Sequence, residues 1–544
     1  MRKLSWVCAA LIFSVACNKK TEKKQEPAPT PKTVEPKKAE PAAATDVPVT
    51  SKSPDAVKQF EQGRNLVDNM RGPEATENFK KAIELDPDFA QAHLYLGIVT
   101  PGPAGNEEIG KAGTLASKLP EPEQQLISGH QASRTGDRQK AIAAFESVLQ
   151  KAPGAWRADV MLGNMATSGG DPAGAIKHFE HALSVKPDLA IAYNGLAYAH
   201  ARQHEWDQAI TAAQKQVELL PKEPNPLDSL GEIQLRAGKF EDAEKSFTAA
   251  TQLEPKFTIA WQGIALSKAY RGDMKGAIEA EDKRKTSQDP SEKYEAALDS
   301  AWFNFADNKL PQAIAAFDTI EKDAGAKTLP VYAFAALDRA HMLAQAGKYA
   351  DAAKWFATAQ QRAEALGGGT KDELMRGYNI GLLRMAALSG KAAADQDKLV
   401  AALEDMAKAN GTKIMESLSA AAHGYAAWAK KDVKAAAAEL AKCDADLVMC
   451  RFDLATAQRK AGDKAGAEAT EDGIRQAPQR EAPVVYAWTH IPKKAAAKPG
   501  EAKPGEAAKP SEAPKKGEAP KKGEAPKKGD AAKVKAETPA PPAQ

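Results

Sequence analysis

The residues best suited to chemistry in this 544-residue chain are a histidine cluster, a cysteine pair and one glycine–lysine string. Four of its nine histidines fall within 27 residues, as the pairs His178 and His181, then His200 and His204. Spacings of three and four put each pair on one helix face, a geometry that can bind zinc or nickel. No carboxylate cluster in the sequence completes such a set, so solvated or packed histidines are the plainer reading. No metal or other cofactor is expected. Cys443 and Cys450 flank an expected helix–helix turn and suit either a disulfide or two small buried apolar side chains. With no histidine near them in sequence they are a poor zinc signal. The string GNEEIGKA at 105–112 imitates the start of a phosphate-binding loop. It lacks the Ser/Thr that would hold magnesium and places Glu107 and Glu108 where phosphates would sit. HExxH, GxSxG and paired CxxC motifs are absent. The chain is expected not to be an enzyme, since only residues 100–122 read as long and irregular enough to carry a grafted active site.

Composition narrows the elements that position these residues. Hydrophobic residues are 43%, charged residues 27% and aromatics 6%, with alanine prominent, which favours close-packed helices over a β-sandwich. The formal charge of +3 hides an asymmetry. Residues 18–54 carry +3 and 493–544 carry +6, leaving about −8 on residues 55–492. A central body of that sign excludes nucleic-acid binding, which needs a basic face. Residues 18–54 are rich in Pro, Lys, Glu and Ala and read as an extended spacer. Residues 491–544, with repeats such as KPGEA and KKGEAP, read as a disordered cationic tail.

Between the tails lies a period. Ala141, Ala175, Ala209, Ala243 and Ala277 are each 34 residues apart, as are Pro153, Pro187, Pro221 and Pro255. Leu162, Leu196, Leu230 and Ile264 keep the same step, and Phe145, Phe179 and Phe247 add a register in which Ala213 fills the gap. Each unit reads as two antiparallel helices joined at a turn such as Gly136-Asp137, Gly170-Asp171 or Gly272-Asp273. Small residues at Gly163 and Ala175 let the helices approach, while Ala175, Phe179 and Ala182 share one buried face. Pro187 stops the second helix. One hairpin cannot bury its apolar face alone, so the units must stack. Upstream, Ala75, Phe79, Ala82 and Pro87 fit the pattern before TPGPAGNEEIGKAGT interrupts it as a loop or distorted hairpin. Downstream, Ala313, Phe317, Ala352 and Phe356 mark second helices with drifting spacing.

This pattern resembles the tetratricopeptide repeat (TPR) family, most clearly in RADVMLGNMATSGGDPAGAIKHFEHALSVKP. The resemblance implies an all-α fold, a right-handed α-solenoid of about 11–12 hairpins. Its clear part is 55–290, strongest at 122–290, with degenerate units at 291–490. It further implies a concave groove lined by first helices, here through Arg157, Asn164, Asn194, Tyr198, Arg202, Asp228, Arg236, Gln262 and Tyr270. Amides, guanidinium groups and tyrosines suit an extended peptide. Clamping of a C-terminal carboxylate, as in some relatives, lacks its lysines here, because Val160 and Asp228 stand in their places.

Arg2, Lys3 and the apolar run ending at Ala16 read as a signal peptide, residues 1–16. Ser14-Val15-Ala16-Cys17 resembles the bacterial lipobox, which implies lipid attachment at Cys17; small residues at 14 and 16 also suit ordinary cleavage. Asn18 resembles the outer-membrane class. The expectation is a periplasm-facing, lipid-anchored interaction scaffold that binds envelope proteins or peptide segments; with ordinary cleavage it would be soluble in the periplasm. The alternative is a tether whose lysine-rich tail holds anionic cell wall or lipopolysaccharide.

Overall fold

The computed structural model describes residues 46–492, except 70, 288, 394, 411–412, 445–446 and 477–480. Helices follow one another in pairs. The first six are α1 (Pro54–Asp68), α2 (Gly72–Leu85), α3 (Ala90–Val99), α4 (Pro103–Leu115), α5 (Glu121–Thr135) and α6 (Arg138–Lys151). Next come α7 (Trp156–Ser168), α8 (Pro172–Val185), α9 (Ala190–Arg202), α10 (Trp206–Leu219), α11 (Pro224–Arg236) and α12 (Phe240–Leu253). They continue as α13 (Ile259–Tyr270), α14 (Met274–Arg284), α15 (Pro290–Ala306), α16 (Leu310–Lys322), α17 (Val331–Gln345) and α18 (Tyr349–Ala363). The last are α19 (Gly368–Ser389), α20 (Gln396–Asn410), α21 (Lys413–Ala429), α22 (Val433–Leu440), α23 (Val448–Ala461), α24 (Lys464–Arg475) and α25 (Ala482–His490). Among the described residues there is no strand, and no helix is long and apolar enough to cross a membrane. The fold is an all-α stack of hairpins, an α-solenoid.

Local chemistry sets each boundary. The turn residue at the 34-residue step takes a left-handed conformation at Gly136, Gly170, Gly238 and Gly272, where glycine carries no steric penalty. After Gly136, Gly170 and Gly272 an aspartate caps the second helix: Asp137 accepts from the Lys140 N–H, Asp171 from Gly174 and Asp273 from Gly276; Lys239, after Gly238, makes no side-chain cap. Helices α2, α6, α8, α10 and α12 each end two residues before a proline, at Leu85, Lys151, Val185, Leu219 and Leu253.

Packing explains the pairing of phenylalanine with glycine sixteen residues earlier. Phe79, Phe145, Phe179 and Phe247 are fully buried. A Cβ on Gly129, Gly163 or Gly231 would stand 2.8 Å from the ring of Phe145, Phe179 or Phe247 respectively, closer than carbon atoms approach. The next hairpin presses on the same rings, with Gly195 against Phe179 and Gly263 against Phe247. First helices also pack on the first helices that follow, α7 on α9, α9 on α11 and α11 on α13; the second helices make no comparable contact with each other. The stack therefore curves, and its first helices form the inner face.

The structure settles two expectations. Of the two readings of the stretch after Val99 the loop falls and the hairpin stands: Pro103 starts α4, a full second helix packed on α3. Its glycines serve close approach, since a Cβ on Gly105 would meet the Thr100 carbonyl oxygen at 2.0 Å. Residues 46–53 also leave the expected spacer: Asp46, Pro48 and Thr50 find partners on α7, α3 and α5, Ser51 and Lys52 on the turn after α2, and Ser53 caps α1. Cys17 and the tail 493–544 lie outside the described residues.

Candidate functional site

Three polar side chains sit at one register on consecutive first helices. Gln91 on α3, Glu123 on α5 and Arg157 on α7 each precede by six residues the small glycine of their hairpin, Gly97, Gly129 and Gly163. Equal offsets from that packing point aim all three at the inner face. There they hold residues 46–51 in extended form. Arg157 Nη1 donates to Asp46 Oδ2 at 3.1 Å, and Gln91 Nε2 donates to the Pro48 carbonyl oxygen at 2.5 Å. The Thr50 N–H donates to Glu123 Oε2 at 3.3 Å, and the Thr50 hydroxyl donates to Glu123 Oε1. Gln91 and Glu123 are themselves joined at 2.8 Å and are about 1% and 0% exposed. Val47 is buried beneath them, and Ser51 Oγ donates to Asp86. Arg157 also stacks on Trp156 at 3.8 Å and pairs with Asp68 at 2.6 Å, tying α7 to the end of α1. Burial pushes the Asp68 carboxyl up, against the pull of Arg157.

The opposite end of the inner face holds a helix. α25 packs on α13, α15 and α23. Its Tyr486 ring stacks on Phe305 at 4.7 Å, and the Tyr486 oxygen accepts from Gln345 Nε2 of α17 at 3.1 Å. Trp488 meets Tyr270 edge-on at 5.2 Å, and Tyr270 stacks flat on Phe240. Beneath lies a buried polar network in which Arg384 holds both oxygens of Asp453, at 2.5 and 2.9 Å, while Tyr425 donates to Asp453 at 2.7 Å. A second buried group joins Arg284 to Asp299 at 2.8 Å and to Glu295 at 2.8 Å.

The residues predicted from sequence divide accordingly. Arg157 holds Asp46 and Asp68, and Tyr270 is covered by α25 rather than open to a partner. Gln262 Nε2 donates to Asp299 at 3.0 Å, and Asp228 is buried. Asn194 donates to Gln216 and Ser229 at 3.1 and 3.2 Å, and Tyr198 donates to Glu232 at 3.2 Å. Asn164 and Arg202 are exposed, and Arg236 is half-buried. Gln91 and Glu123 were missed, although their shared offset with Arg157 was the available signal.

The histidines resolve into separate roles. His178 and His181 both address the buried Asp159, at 3.1 and 2.6 Å, whereas His200 pairs with Glu205 at 2.6 Å. His204 takes the left-handed turn position that glycine holds in neighbouring hairpins. Among the described residues no group of three ligating side chains is arranged to hold a metal. The glycine–lysine string falls inside α4, where Lys111 pairs with Glu107 and Glu108. Cys443 and Cys450 are joined, Sγ to Sγ at 1.97 Å, across the turn between α22 and α23.

Residues 128–183, 166–224 and 229–290 match the family model for the tetratricopeptide repeat, so the chain contains these repeats. A TPR repeat-containing protein of Pseudomonas aeruginosa is 30% identical over 25% of this chain and 23% of its own length. Protein FlbA of Caulobacter vibrioides is 25% identical over 32% of this chain and 30% of its own. The chain spans between 9% and 30% of the length of the curated relatives it matches. Among solved structures, MamA is 25% identical over 28% of this chain and 91% of its own, with a TM-score of 0.27.

Proposed function

We propose that this protein is a non-enzymatic scaffold that gathers partner proteins along its inner face. In this reading it is exported, anchored by a lipid at Cys17 and exposed to the periplasm of a bacterial envelope. The observation that carries the scaffold reading is the use of the body: nearly every described residue belongs to a stacked hairpin, and the inner face already grips peptide chain. The Cys443–Cys450 bridge supports an oxidising compartment. The lysine-rich tail favours a second reading, a tether to anionic wall polymer.

Affinity capture from envelope extract, with the full chain as bait at low and high salt, separates these readings. Retention of one or a few proteins through high salt supports the scaffold. Material released by salt, and retained only while the tail is present, supports the tether. Fatty-acid labelling that survives Cys17→Ser overturns the anchor.

A further inference from the structure

We infer that residues 46–51 are a resident stand-in for a partner peptide, and that the face formed by α3, α5 and α7 is a sequence-reading site for such peptides. The inference rests on the scaffold reading and names its partner chemistry. The segment DVPVTS is not a helix of the stack. It lies extended across three first helices, and its own side chains and backbone are each read by a different one. Arg157 takes a carboxylate, Gln91 takes a main-chain carbonyl, and Glu123 takes a main-chain N–H together with a hydroxyl. Val47 fills an apolar position, while Pro48 favours the extended form and restricts the residue before it. A partner that fits therefore presents an acidic residue, two branched apolar residues flanking a proline, and then a threonine or serine.

The fit of the resident segment is incomplete. Gln91 Oε1 is buried and has no hydrogen-bond partner among the described residues, so the resident segment leaves this acceptor unsatisfied. The segment's hold at Asp46 is an ion pair at a partly exposed carboxylate, which a competing peptide can replace. Its advantage is effective concentration, because it is part of the same chain. Removing that advantage should open the site to a peptide added in trans.

The test uses the full chain and a fluorescent synthetic peptide spanning residues 45–52, read by anisotropy. Three proteins are compared: wild type, a variant with Asp46→Ala, Val47→Gly and Thr50→Ala, and the same variant carrying Glu123→Gln. The vacated variant should bind the peptide at least about tenfold more tightly than wild type, and Glu123→Gln should reverse the gain. A vacated variant that keeps its helical circular dichroism yet binds no more tightly than wild type overturns the inference. Should that variant not fold, Asp46→Lys decides, since it alters one partly exposed end; unchanged peptide binding there overturns the inference. Doubling of the vacated variant's mass on gel filtration would also overturn it, by making a second copy the occupant. Failure here with successful capture of partners would leave the scaffold reading standing.

Discussion

At the N-terminal end of the inner face the guest is six residues of extended chain, held by an amide, a carboxylate and a guanidinium group. At the C-terminal end it is a nine-residue helix, held by stacked rings. The backbone scaffold is the same in both places. The difference lies in what the first helices present inward. Gln91, Glu123 and Arg157 can satisfy the unpaired N–H and C=O groups of an extended segment. Phe305 and the ring face of Tyr270 offer apolar surface instead, which suits a helix, whose backbone is already satisfied and whose apolar face needs cover. A hairpin stack thus selects the conformation of its guest by inner-face polarity, without a change of fold.

The comparison can be broken hardest beneath α25. Arg384→Ala leaves Asp453 buried without its cation and should cost about 3–5 kcal/mol in urea unfolding. A loss below 1 kcal/mol would show that the network is not buried in solution. Tyr486→Ala removes the ring stacked on Phe305 and should cost about 3 kcal/mol, with protease cleavage appearing near α25. Unchanged proteolysis would mean that the stack on Phe305 does not hold α25 in place.

Acidity sharpens the contrast. Burial, with Asp299 close by, pushes Glu281 up to about 8. A carboxyl raised in the folded state keeps its proton there while the unfolded chain has released it. Its contribution is therefore complete below the ordinary value of 4.5 and is lost as pH rises through about 8. Wild type should lose stability across that window relative to Glu281→Gln; parallel curves would refute the assignment. The smallest effect belongs to the N-terminal guest, where Asp46→Ala should cost no more than about 1 kcal/mol. A loss as large as that of Tyr486→Ala would make residues 46–51 part of the core rather than a guest.

Much of this fold was legible because the 34-residue step records a packing contact. Rings such as Phe145, Phe179 and Phe247 need a glycine sixteen residues before them, and the turns at Gly136, Gly170 and Gly272 pair a left-handed residue with an aspartate cap. The inner face was legible in direction and not in occupancy. An offset along a helix says where Arg157 and Tyr270 point; it does not say that Asp46 and Trp488, more than 100 residues away in sequence, will cover them. The glycines of α4 misled because composition reads them as freedom, whereas the structure uses them for contact with Thr100 and Gln131.

Phe179 and Phe247 each rivet two successive hairpins, and Ala213 stands where the ring between them is missing. The seam from α9–α10 to α11–α12 therefore lacks that rivet. Under tension this seam should part more readily than the two riveted seams that flank it. A stack joined in this way has seams of unequal strength, set by whether a ring or an alanine stands at one register.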